Sequence, residues 1–297
     1  MKEHEPRSSS RTGWALLGLS AAFVTGAAFL VRGAPTDVPG LEVATAEDVV
    51  DAFLHLGYAL VGVLILARQP RNLFGWAFLL IALCFEASLF AGAYGTYGTF
   101  THPGSLPAPQ VLSLVGDMLF VPCLVLVATF VPLLFPTGSP PTRRWWVVGG
   151  AAGAAIVLAT IAMAIRPGPV DEDVPSAGAN PLGIPGAGGV ADTFELLALL
   201  LFFLAAIGSL ASVIVRARRS RGTERRQLKI FLGAVVVVFA VFFVPDEPLR
   251  LGGEAAQISL AVVVILTLPI AVAIALLRPG EEFGAPATLE ARELALR

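Results

Sequence analysis

The chain has 297 residues, of which 56% are apolar and only 14% charged, with a formal net charge of −2. Soluble domains carry roughly 25% charged residues, so this composition excludes an ordinary water-soluble fold. The slight negative balance also excludes a global basic field of the kind that binds nucleic acid, and no nucleic-acid partner is expected.

The apolar residues fall into eight runs in chain order: Trp14–Val31, Val49–Ala67, Phe74–Tyr94, Val111–Phe135, Trp145–Ile165, Phe194–Val215, Ile230–Val244 and Ile258–Leu277. Most approach the ~20 residues needed to cross a hydrocarbon core of about 30 Å. Strand alternation is absent, and in lipid the backbone must then satisfy itself within helices. The predicted fold is all-α, a polytopic transmembrane bundle of about eight helices. Residues 1–13 form a tail before it, 14–277 the membrane domain, and 278–297 a short tail after it. Arg32-Gly33-Ala34-Pro35 is a poor signal-peptidase site, so the first run reads as a retained helix.

Charge placement predicts the orientation. With the N-terminus in the cytoplasm, 17 of the 20 Lys and Arg residues fall inside, and only Arg32, Arg166 and Arg250 outside. Both termini are therefore expected in the cytoplasm of a multi-pass plasma-membrane protein. The densest basic segment, Arg216, Arg218, Arg219, Arg221, Arg225, Arg226 and Lys229, reads as a cytoplasmic loop. It sets topology and attracts anionic headgroups, or it docks a cytoplasmic partner. On the other side, Asp171-Glu172-Asp173 is a solvated acidic turn, without the spacing of a calcium loop.

Ionisable residues inside apolar runs are expensive and usually face the bundle interior. His55, Glu86 and Asp117 are of this kind, and all three are predicted in one layer of the outer half. Asp51, His55 and Tyr58 share a helix face at i, i+4 and i+7. Two readings stay open: a buried polar pocket that binds a ligand or responds to protonation, and interhelical hydrogen bonds that fix register. No metal is expected, because no paired-His spacing supports one, and no cofactor fingerprint occurs. Gly149-xxx-Gly153 fits a close-packing motif that can serve a homodimer.

Five short motifs carry a family resemblance: Arg68-Gln-Pro-Arg71-Asn72-Leu-Phe-Gly75-Trp76, Leu134-Phe-Pro136-Thr-Gly138 with Arg143-Arg144-Trp145, Asn180-Pro-Leu-Gly183, Arg216–Leu232, and Leu268-Pro269-Ile-Ala-Val-Ala. In this order they resemble the multi-helix membrane sensor region of certain bacterial, especially actinobacterial, two-component histidine kinases. The resemblance implies a sensor fold that relays an external or membrane cue to a separate kinase or response regulator. It does not extend to kinase chemistry. The only histidines are His4, His55 and His102, none on a helix after the membrane region, and no Gly-rich ATP lid is present. The expectation is thus a non-catalytic sensor module. The alternative is a transporter or channel accessory subunit built around the buried acids, and a lipid-acting enzyme has no recognisable motif.

Overall fold

The computed structural model describes residues 5–41, 46–242 and 254–277. Eight long helices run through them: α1 (Glu5–Leu30), α2 (Ala46–Arg68), α3 (Leu73–Thr96), α4 (Pro109–Leu134), α5 (Trp146–Ile165), α6 (Gly188–Arg219), α7 (Gly222–Phe242) and α8 (Glu254–Leu277). Among the described residues there is no strand, only an isolated bridge between Pro169 and Ala179. Five helices are long and apolar enough to cross a membrane, and α2 and α8 contribute shorter apolar segments, Ala52–Arg68 and Ile265–Leu276. The chain is a helical membrane protein. The expected tail 278–297 and Arg250 lie outside the described residues.

Two helices depart from simple α geometry. Beyond Thr96, α3 continues through a wider π turn, Tyr97–Thr101. Within α4 a second π turn, Leu126–Phe130, separates Pro109–Val125 from Val131–Leu134. Pro122 and Pro132 flank that turn and supply no N–H to the ladder, so the backbone there widens. The Thr129 hydroxyl donates to the Val125 carbonyl inside the turn.

The helices pack as α1, α2 and α3 together, α3 on α4, α4 on α5, and α5 on α6, while α8 joins α2 to α7. Burial follows membrane logic. The inward face of α6 carries Ala191, Ala198, Ala205 and Ser212 at seven-residue spacing, while Leu196, Leu200, Phe203, Leu204 and Ile207 point outward. Small residues let neighbouring backbones approach and large apolar ones meet lipid. Glycine does the same between α2 and α3: a Cβ on Gly62 would stand 2.8 Å from the Gly75 carbonyl oxygen. Aromatic rings tie the other half together, with Tyr58–Phe78 centroids 5.2 Å apart, Phe78–Phe74 4.7 Å, Phe74–Phe135 5.6 Å and Phe135–Phe231 4.5 Å.

Neighbouring helices alternate in direction, which gives the bundle a basic end and an acidic end. The basic end gathers the α2–α3 turn, the 135–145 segment and the α6–α7 corner, and Gly13 of α1 lies beside Leu66 and Leu79 there. All four tryptophans (Trp14, Trp76, Trp145 and Trp146) lie toward this end, where an interfacial aromatic belt would sit. The acidic end gathers residues 31–41, 102–108 and 166–187.

Two expectations need correction. The basic segment Arg216–Lys229 is not a loop, since Arg216 to Arg219 complete α6 and α7 starts at Gly222, leaving Ser220 and Arg221 between them. Arg, Lys, Gln and Leu are good helix formers, and the break falls at Gly222 with its φ of +58°. The presumed tail 1–13 is helical from Glu5 onward. Gly149 is buried against Trp146 of its own helix and Phe130 of α4, while nothing lies within 4 Å of a Cβ placed on Gly153.

Candidate functional site

A cavity of about 680 Å³ opens at the acidic end between the outer halves of α3 and α4 and the segments above them. Close helix contact sets its floor. A Cβ on Gly95 would fall 1.8 Å from the Ser113 Oγ, and one on Gly116 would fall 3.0 Å from the Ser88 carbonyl oxygen. The π turn after Thr96 carries α3 upward and places Thr99 and Phe100 on the wall. The roof is made where residue 40 meets the 166–187 segment. Gly40, at φ +80°, sits so close to the Asp173 carbonyl oxygen that a Cβ would be 1.8 Å from it.

Asp117, Asp171 and Asp173 line this cavity, together with Ser113, Thr96 and Thr99, and among the described residues no Lys or Arg lines it. Asp117 is exposed on the stripe of α4 that continues through the outward-facing Phe120 and Leu124, so the cavity opens toward the side of the bundle. Asp171 is fixed by accepting the Asp173 backbone N–H at 2.8 Å. Three carboxylates without an intervening cation attract positive charge and reject anions. Among the described residues no group of three His, Cys, Asp or Glu side chains is placed to hold a metal ion.

The other candidates of the expected pocket lie elsewhere. Glu86 is fully buried on α3, and neither of its oxygens has a hydrogen-bond partner among the described residues. Its surroundings include Cys123 of α4, itself near Tyr58 and Cys84. His55 stacks on Phe85, ring centroids 3.6 Å apart, and lies 6.1 Å from Tyr58. The side chain of Asp51 lies outside the described residues. Asp117 and Glu86 thus belong to different layers, and the physical reason is the length of α3. Read to Tyr94, the helix puts Glu86 about 12 Å below its outer end, close to the depth expected of Asp117. Continued to Thr101, it places Glu86 about 20 Å below that end, against about 12 Å for Asp117 below Pro109. His55, Tyr58 and Glu86 share the core of the bundle, and Asp117 alone reaches the cavity.

At the basic end, motifs far apart in the chain meet. Asn72 caps α3 by accepting the Phe74 N–H at 2.9 Å and donates to Gln69 at 2.7 Å. Gly138, at φ +76°, packs so tightly on Asn72 that a Cβ would be 2.1 Å from its Oδ1. Arg216, 7% exposed, reaches from α6 and donates to the carbonyls of Phe135, of Leu133 at 3.2 Å and of Ser139 at 2.9 Å. These carbonyls end α4 and follow it, and a helix end leaves such acceptors without intrahelical donors. Gln227 of α7 serves α8 in the same way, donating to Ala275 at 2.8 Å. Arg218, Arg219, Arg221, Arg225, Arg226 and Lys229 remain on the surface.

The Asn180-Pro-Leu-Gly183 motif acts at the opposite end. Asn180 donates to the carbonyls of Met163 (3.0 Å), Ala164 (3.3 Å) and Arg166 (2.8 Å), closing the C-terminus of α5, and accepts the Leu182 N–H at 2.9 Å. Arg166 then pairs with Asp192 at 3.0 Å and with Glu195, both on α6. Sequence reasoning missed the lining roles of Ser113, Thr96 and Thr99. The spacing Gly92-xx-Gly95 facing Ser113-xx-Gly116 was the available signal for a close helix pair beneath a cavity.

Compared with known proteins, the chain matches no family model, no curated protein and no solved structure.

Proposed function

We propose that the protein is a non-catalytic sensor module of the plasma membrane, crossing it many times with the basic end in the cytoplasm. The observation that carries this reading is the course of α4. One helix bears Asp117 in the cavity at the acidic end, is interrupted by a π turn midway, and ends under the grip of Arg216 at the basic end. π turns inside α-helices recur at functional sites, and a helix with a local register defect has two arrangements available to it. A cue entering the cavity from outside or from the outer leaflet shifts the outer half of α4. The clasped inner end passes that shift to the α6–α7 corner, where surface arginines meet a separate kinase or response regulator. The order of the five motifs resembling histidine-kinase sensor regions supports the same reading.

A second reading, a transporter or channel accessory subunit, draws on one observation: Glu86 is buried in the bundle, and among the described residues neither of its oxygens has a hydrogen-bond partner. Such intramembrane acids mark ion and proton paths.

Transcript profiling of a deletion strain separates the two. The sensor reading expects a discrete set of genes to change, with rescue by the wild-type chain and not by Asp117→Asn. Unchanged transcription together with altered solute uptake, rescued by Asp117→Asn and not by Glu86→Gln, would favour transport and overturn the sensor reading.

A further inference from the structure

We infer that a second cavity, at the basic end, is a binding site for a phosphate-bearing anion. It measures about 280 Å³ and lies between Thr137 and Ser139 after α4, Arg216, Arg219 and Ser220 at the end of α6, and Glu224 in the first turn of α7. This volume lies below the ~300–1,000 Å³ of drug-sized pockets, which suits a single phosphate group with the rest of its molecule outside the cavity.

The electrostatics are unusual. Arg216 is buried, yet its guanidinium is held by three neutral carbonyls rather than by an acid. Among the described residues, neither Arg216 nor Arg219 forms an ion pair. A buried cation normally sits with a carboxylate partner; here Glu224 of the same wall acts on Arg216 from beyond ion-pair distance and offsets part of its charge, and with Arg219 beside it the wall keeps a net positive charge. Arg219 is exposed and stands at its rim. The Thr137 and Ser220 hydroxyls donate to the Ser139 and Ala217 carbonyls at 3.3 and 3.4 Å, bonds long enough to be exchanged for a phosphate oxygen, and the exposed Arg219 supplies a planar fork suited to phosphate. Among the described residues Glu224 is the one lining acid, and it opposes an anion. Surface arginines around the corner add steering at longer range.

Two sources share this chemistry, a phospholipid headgroup of the cytoplasmic leaflet and free phosphate. The first rests on the orientation proposed above; the second does not. The test uses the purified full chain in uncharged detergent, titrated separately with short-chain phosphatidylglycerol and with inorganic phosphate. Saturable binding at one site per chain is expected for at least one probe. Binding of the lipid alone identifies the headgroup, and equal competition by inorganic phosphate identifies the free anion. Arg219→Gln should weaken binding about tenfold, the loss of one charge-assisted hydrogen bond. Arg144→Gln, which removes the same charge outside the cavity, should weaken it by less than about twofold, and Glu224→Gln should tighten it. No saturable binding of either probe, or equal weakening by Arg219→Gln and Arg144→Gln, would overturn the inference.

Discussion

Arg216 donates a hydrogen bond to the carbonyl of Phe135, a residue 81 positions earlier in the chain. With its bonds to Leu133 and Ser139, the same guanidinium holds the end of α4 to the end of α6. This contact turns two helices that run through the bundle into one mechanical unit at its basic end.

Replacing Arg216 by Ala should lower stability by about 3 kcal/mol or more, because three acceptors lose a charged donor in a buried place. Arg216→Lys should recover part of that loss, since an ammonium reaches fewer of these carbonyls than the guanidinium fork does. Thermal unfolding in detergent, followed by tryptophan fluorescence, measures both. An Ala variant as stable as wild type would show that the clasp contributes nothing.

Asn180→Ala should cost about 1–2 kcal/mol, since its amide closes the C-terminus of α5 through three carbonyls. Asn180→Asp should be no better, because a carboxylate in place of the donating amide repels the same carbonyl oxygens. The two melting temperatures, compared with wild type, check the assignment.

The two ends of the bundle were legible in the sequence, and the contacts within them were not. Arginine placement around Arg68, Arg143 and Arg216–Arg226 identified one end because topology depends on counting charges between apolar runs, and that count tolerates boundary errors. The depth of Glu86 did not tolerate them. Tyr94 to Thr101 mixes aromatic, Gly and Thr residues, no local rule extends a helix through them, and the π turn that does so shifts Glu86 out of Asp117's layer. Arg216 was one of several arginines in a charged stretch. Nothing local marks it as the buried one, because its partners come from α4. Asn72 and Asn180 stood within recognised motifs, and the structure supplies their physical task as helix caps.

Gly40→Ala should separate the segments that roof the acidic cavity. Its added Cβ would meet the Asp173 carbonyl oxygen at 1.8 Å, and φ +80° already strains an L side chain. Global stability should fall by only about 1 kcal/mol, because the contact lies between exposed segments. Hydrogen exchange at residues 170–177 should rise severalfold. Unchanged exchange there would place the roof elsewhere.

Gly62→Ala acts deeper. A methyl group 2.8 Å from the Gly75 carbonyl oxygen and 3.1 Å from the Leu79 backbone nitrogen meets backbone atoms, which no side-chain rotation relieves. Overpacking of this kind costs about 1–3 kcal/mol, and α2 must move off α3. A double-cysteine cross-link across that interface should form more slowly in the variant than in the parent pair, and an equal rate would refute the close contact.

The most direct test of the sensor account is the identity of what binds the basic end. The affinity-tagged chain, captured from native membranes and analysed by mass spectrometry, should retain a histidine kinase or response regulator, and Arg225→Glu with Arg226→Glu should release it. Recovery of a permease or transport ATPase in its place, or of no kinase or regulator at all, would contradict the account.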